Sequence, residues 1–300
     1  MSTCALQNQL FNLQADNGCF PALVCQRDKL TIDFSGFTTV LVLRAIRNHP
    51  ADSLQQTLCN RALNFIQQCQ SSKIAGAYGF WPEGAFPAWA NSLPPDIDDT
   101  STMILELLRH DRLGVMQAKR MVCSIFVSNR ISGVERALWP EWIANGAFQT
   151  WIINSRRSQN IVDCTVNANA LALLSYLKLA DLPGYREAVD TIVNGLAWAG
   201  EDLRKLRSLT PFYSNLHEFS RALHHAMECG AGELTDASIE LDKRIESHNL
   251  GDDGVYCTSA YGEVRWKSPA VVIANRLAKL KPAGCTTRRS SLPLITGRLN

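Results

Sequence analysis

Four times along this chain a glycine and an aromatic residue, with one residue between them, stand at a similar distance before an apolar run. Gly18-Cys19-Phe20 leads to Asp33 and then to Thr38-Thr39-Val40-Leu41-Val42-Leu43, and Gly76-Ala77-Tyr78 leads to Asp98 and the run from Met103 to Leu108. Gly146-Ala147-Phe148 leads to Asp163 and Ala168–Leu177, and Gly254-Val255-Tyr256 leads to Ser268-Pro269 and Ala270–Leu280. From glycine to capping residue the gap is 14 to 22 residues. A fifth segment, Asn215 to Met227, lacks the glycine but follows Pro211. A repeat constant in order and ragged in length predicts a helical array.

Between the apolar segments lie amphipathic ones. Ser53 to Cys69 puts Leu54, Leu58, Ala62, Phe65, Ile66 and Cys69 on one face, and Gly114–Arg130, Gly184–Ala199 and Glu233–His248 follow the same pattern. Segments apolar nearly all round, such as Asn169 to Leu177, are expected to be buried, and those with a polar stripe to cover them. The chain is therefore expected to be all-α, an α/α toroid of about five to six inner and outer helix pairs over residues 1–281. An open α-solenoid is the competing arrangement. Residues 282–300 read as a loose basic tail. In this plan the inner helices start at one mouth, where Asp33, Asp98, Asp99, Asp163, Asn167 and Asn169 would share a rim.

Pro94-Pro95-Asp96-Ile97-Asp98-Asp99-Thr100 is the stretch richest in chemistry. Two prolines delay the helix, and carboxylates then sit where unpaired N–H groups favour negative charge. Three acids within four residues exceed what a cap requires. Crowded carboxyls do not all ionise, and one that keeps its proton beside an apolar cavity is a general acid.

Composition narrows the classes. With 46% hydrophobic residues the chain can bury a core, and 19% charged residues argue against disorder. The net charge is +2, yet the stretch from Val264 to Asn300 holds eight Lys and Arg and no acid, leaving the rest at −6. The opening residues show no basic and apolar leader, and no run approaches a membrane span, so a cytoplasmic protein is expected. Ten cysteines without CxxC spacing read as reduced thiols, and neither they nor His224-His225 supply a zinc pattern, so no metal is expected.

Asp96-Ile97-Asp98-Asp99-Thr100 resembles the DxDD(T) motif of class II terpene cyclases, the squalene–hopene and copalyl-diphosphate type. The glycine-aromatic turns, as in Asp252-Asp253-Gly254-Val255-Tyr256, resemble the degenerate repeat of the terpenoid-cyclase and protein-prenyltransferase α/α-toroid superfamily, over roughly residues 16 to 280. The resemblance implies that Asp98 protonates an alkene or epoxide while Asp96 and Asp99 polarise and orient it. It also implies an isoprenoid substrate, polyprenyl or polyprenyl diphosphate, and no cofactor, with Mg²⁺ relevant if the substrate is a diphosphate. The family's pocket commonly lies between two such barrels, which implies a second toroid subunit or a homodimer.

Such chemistry needs a dry acid and aromatic faces that stabilise carbocations. Trp81, Trp89 and Trp151 are the candidate walls, Asn167 or Asn169 the candidate brace for the acid, and Asp163 a further contact. Arg265 and Lys267, before the last apolar segment, are candidates for a diphosphate. Each residue also has a plainer reading: Asp98 a helix cap, the asparagines turn bonds, the aromatics packing, and the two cations a solvated patch. Two other functions fit the residues. One is a non-catalytic toroid that binds an apolar ligand or a partner protein. The other is a carbohydrate-active α/α barrel, in which Asp98 and Asp163 flank a glycosidic bond. Basic residues are not interleaved with aromatic ones on a surface, so nucleic acid is not an expected partner.

Overall fold

The computed structural model describes residues 2–47, 53–90, 92–133, 138–153, 160–260 and 262–280. The tail assigned to 282–300 lies outside them. In chain order the helices are α1 (Thr3–Leu13), α2 (Gly36–Ile46), α3 (Ser53–Gln67), α4 (Ile97–Arg109), α5 (Val115–Ser128), α6 (Cys164–Tyr176), α7 (Tyr185–Ala199), α8 (Leu203–Ser208), α9 (Leu216–Glu228), α10 (Thr235–Ser247) and α11 (Pro269–Lys279). The strands are β1 (Ala22–Gln26), β2 (Lys29–Asp33), β3 (Val255–Thr258) and β4 (Val264–Lys267).

Local chemistry explains where the apolar helices begin. Ser35 caps α2 by accepting from the Thr38 amide, Asp96 caps α4 from the Asp99 amide, and Asp163 caps α6 from Thr165 and Val166. Asn215 caps α9, and Pro269 opens α11. Nearly every residue of α2, α4 and α6 is buried, as expected for segments apolar all round. In α3, α5, α7 and α10 only one face is buried. The buried helices form a row, α11 on α2, α2 on α4, α4 on α6 and α6 on α9, with α3 and α7 packed behind α2 and α6.

The glycine-aromatic repeat has a structural cause. Gly18, Gly76, Gly146 and Gly254 all have positive φ, a conformation that costs other residues free energy. At Gly18 a Cβ would lie 2.2 Å from the Arg61 carbonyl oxygen in α3, and at Gly76 it would lie 2.7 Å from Met121 of α5. In the first three turns the aromatic residue that follows is anchored in the same way. The Phe20 amide donates to Thr39 Oγ1 (3.1 Å), the Tyr78 amide to Thr100 Oγ1 (3.0 Å) and the Phe148 amide to Asn167 Oδ1 (3.1 Å). Each acceptor lies four residues after its helix cap.

The expectation of an all-α chain needs correction, because a four-stranded antiparallel sheet of order β2-β1-β4-β3 joins the first repeat to the last. Two hairpins, one between the Gly18–Phe20 turn and α2 and one that starts within the Gly254–Tyr256 turn and leads to α11, pair through β1 and β4, with Val24 opposite Trp266 and Cys25 opposite Arg265. In the middle repeats the same connections form only isolated bridges, Tyr78 with Asp96 and Asp96 with Trp151. Among the described residues no helix is long and apolar enough to cross a membrane, and the cysteines are free thiols.

Candidate functional site

Two neighbouring segments, at Tyr78 and at Thr150–Ile152, hold the acidic motif in place. The Asp96 amide donates to the Tyr78 carbonyl (3.3 Å), the Ile97 amide to the Thr150 carbonyl (2.9 Å), and the Ile152 amide to the Pro95 carbonyl (2.9 Å). Since the cap is Asp96, Asp98 is released from capping and turns inward from the first turn of α4. Its Oδ1 accepts from Asn169 Nδ2 of α6 at 2.7 Å, and its Oδ2 accepts from the Tyr213 hydroxyl just before α9. Arg44, from the otherwise apolar α2, donates to Asn169 Oδ1 at 3.2 Å. An arginine only donates, so this bond orients the amide with its NH₂ towards Asp98.

Burial governs the protonation of the motif. It raises Asp98, with the hydrogen bonds from Tyr213 and Asn169 and the Arg44 charge opposing it. Asp99 is raised well above the carboxylate range by burial and then by the Asp96 carboxyl, and neither of its oxygens has a hydrogen-bond partner among the described residues. Burial pushes Asp96 up to about 7, against the hydrogen bond it accepts from the Asp99 amide. Three adjacent carboxyls in one dry place therefore favour retained protons.

The motif opens on a cavity of about 380 Å³. Asp96, Asp98 and Asp99 line it together with Phe37, Phe80, Trp81, Trp89, Trp151, Phe212, Tyr213 and Trp266. The rings brace one another: Phe80 lies 4.8 Å from Trp81 and 5.5 Å from Trp266, and Trp151 lies 5.4 Å from Phe212, all edge to face. No Lys, Arg or His is found among the described lining residues. A larger, more polar cleft of about 810 Å³, behind Phe80, Trp81 and Leu93, contains none of the three motif acids.

The residues singled out from the sequence divide between cavity and scaffold. Trp81, Trp89 and Trp151 line the cavity with the three acids, and Asn169 braces Asp98. Asn167 does not reach the acid: its amide spans the Phe148 backbone, accepting from the N–H and donating to the carbonyl, both at 3.1 Å. It is the counterpart of Thr39 and Thr100, a lock of the repeat. Asp163 is not among the cavity's lining residues, because capping α6 and accepting from the Phe212 amide (3.0 Å) occupy its carboxylate. Asp33 is likewise no rim acid and no cap. It sits behind the wall and accepts the indole N–H of Trp81 (2.7 Å) and of Trp266 (2.9 Å), which fixes both rings. Arg265 and Lys267 are exposed on β4, where the alternation of the strand turns Trp266 to the cavity and the two cations away from it.

Tyr213, Trp266, Phe212 and Arg44 are absent from the sequence reading. A lone cation inside an apolar helix was the available signal for Arg44, and the pair Phe212-Tyr213 before α9 was the signal for those two residues. Trp266 depended on recognising β4 as a strand.

No family model matches the chain, and no curated protein matches it. Among solved structures, a protein from Actinoplanes is 15% identical and superposes with a TM-score of 0.51, covering 92% of this chain and 74% of that one. At that identity the likeness is one of fold alone.

Proposed function

We propose that this protein is a class II terpene cyclase-like enzyme in which Asp98 starts the reaction by protonating an isoprenoid alkene, and that its row of buried helices is the inner wall of an α/α toroid. One observation carries the reading: a buried carboxyl, whose hold on its proton burial strengthens, is held by Asn169 and Tyr213 and faces a cavity walled by aromatic rings. Filled at the packing density of a protein interior, 380 Å³ accommodates about three to four isoprene units. The part of the substrate inside is uncharged, since the lining offers it no cation, and any polar head group stays at the mouth.

In the first step the Asp98 O–H bond breaks and a C–H bond forms at one alkene carbon, leaving a tertiary cation at the other. The Asp98 carboxylate that results keeps its hydrogen bonds from Asn169 and Tyr213, which stabilise the charge as it develops. Alkene π electrons further along the chain then close rings on the cation, and the faces of Phe80, Trp81, Trp89, Trp151 and Trp266 stabilise it without trapping it. The last cation gives a proton to water at the cavity mouth, a solvent proton restores the Asp98 O–H, and the product is an isomer of the substrate.

The test is incubation of the purified protein with linear C15 and C20 polyprenyl alcohols and diphosphates, followed by mass-spectrometric search for cyclic isomers. Turnover is expected with the wild type and its loss, by at least about a thousandfold, with Asp98→Asn at an unchanged unfolding temperature. Turnover that survives in Asp98→Asn removes Asp98 as the acid. Binding without turnover, weakened by Asp98→Asn, would mean a non-catalytic ligand site instead.

A further inference from the structure

The sheet that closes one side of the cavity has a second face, which is open to solvent and carries exposed apolar side chains beside two cations. Leu23 of β1 pairs with Ile32 of β2 and with Lys267 of β4, and Cys25 pairs with Leu30 and with Arg265. Residues directly opposite in an antiparallel sheet point to the same side, so these six side chains form two adjacent rows on the outer face. The apolar members are open to solvent: Leu30 is 71% exposed, Ile32 60% and Leu23 44%, and Phe34, just after β2, is 43% exposed. Arg265 and Lys267, both exposed, stand at the β4 end of the same two rows. β3 is buried along its length, so the open face belongs to β2, β1 and β4. The nearby exposed acids, Asp28 and Glu263, lie outside both rows, next to the strand ends.

An apolar patch of this kind on a soluble surface marks a contact. Its charge selects the partner. Two cations flank the greasy rows, no acid lies within them, and the chain from Val264 to its end carries eight basic residues and none that is acidic. That basic end has the same sign as Arg265 and Lys267, which disfavours it as the cover of this face. A nucleic acid complements the charge but gives Leu23, Leu30 and Ile32 nothing to enter. An anionic bilayer surface satisfies both, taking the aliphatic chains below the headgroups and the cations at the phosphate level. We propose that the outer face of the β2-β1-β4 sheet docks this protein on anionic lipid membranes. The same strands turn Gln26, Val264 and Trp266 to the cavity on their other side, so docking sets the cavity one strand's thickness from the lipid. This inference stands independently of the chemistry proposed for Asp98.

The experiment is co-sedimentation of the full chain with vesicles of phosphatidylcholine alone and with about a third phosphatidylglycerol, at low and high salt. Binding to the anionic vesicles, weakened by salt, is expected. Leu30→Ser with Ile32→Ser should reduce it at least about tenfold, as should Arg265→Glu with Lys267→Glu, with unfolding temperatures unchanged because all four side chains are exposed. Absence of binding overturns the proposal. So does binding indifferent to Leu30→Ser with Ile32→Ser, which would assign it to the basic chain end alone. A dimer in analytical ultracentrifugation that the same pair dissolves would assign the face to a second copy. Nucleic-acid binding lost with Arg265 and Lys267 but not with Leu30 and Ile32, in a protein that ignores vesicles, would assign it to that partner.

Discussion

Asp98 differs from its two neighbours in the motif by what it touches, not by burial. Asp96 spends an oxygen on the Asp99 amide, and Asp99 has no partner for either oxygen among the described residues. Asp98 alone is held by two side chains from elsewhere in the chain, Asn169 of α6 and Tyr213 from the segment before α9, while it lines the cavity. The Tyr213 hydroxyl matters most after the proton has left, when it donates to a carboxylate. Removing it in Tyr213→Phe should therefore slow turnover about 10- to 100-fold, the worth of a hydrogen bond to a charged group. Because that bond also opposes the upward shift of Asp98, its loss raises the acid further, and the alkaline fall in activity should move to higher pH. A merely structural tyrosine would leave the pH profile in place. Arg44 acts through Asn169 and is a positioning residue.

The recurring element is a glycine turn, an aromatic anchor and a capped helix, and its energetics lie in close approach. At Gly18 a methyl group would meet the Arg61 carbonyl oxygen of α3 at 2.2 Å, with φ at +91°. Gly84 also has positive φ, at +77°, but nothing lies within 4 Å of its Cβ position. Gly18→Ala should cost about 2–4 kcal/mol of stability in urea unfolding, and Gly84→Ala about 1 kcal/mol, the backbone strain alone. Equal losses would mean that the glycine serves the turn's conformation alone and not its close approach to α3. The bond from cap-plus-four to the aromatic amide is made by Thr39, Thr100 and Asn167 alike, which is why Asn167 belongs to the scaffold despite its place near the acids.

For the molecule as a whole, a cluster of neutral-leaning carboxyls sets the pH dependence of folding. Burial pushes both Asp96 and Asp163 up to about 7, and in the unfolded chain each returns to about 4. Between these values the folded state holds protons that the unfolded state has released, so stability falls as pH rises from about 4 through about 7. Thermal unfolding midpoints should accordingly decrease across that window. Asp99→Asn, which replaces a buried carboxyl lacking partners with a group that never ionises, should make the decrease shallower. A midpoint that rises with pH in both proteins would show these carboxyls ionised in the fold. The sheet places its own demand on the molecule: by pairing β1 with β4 it ties the first repeat to the last, and Trp81 and Trp266 meet there over one carboxylate, Asp33.

Apart from α1 and α8, the order of helices, their division into buried and covering sets, and the glycine turns between them were legible in the chain, because each rests on interactions within about a dozen residues: periodicity, caps and positive φ. The acidic motif was legible for the same reason, and so were Trp81, Trp89 and Trp151 beside it. The sheet was not. Its strands are four or five residues long, β3 is buried on both faces and shows no alternation, and the β1–β4 pairing spans more than two hundred residues. Which acid is cap and which faces the cavity, which asparagine braces it, and that Tyr213, Arg44 and Trp266 meet there are matters of distance between segments remote in sequence. Residue type and spacing specify a side chain's chemistry and its helix, but its partner is chosen only when the helices pack.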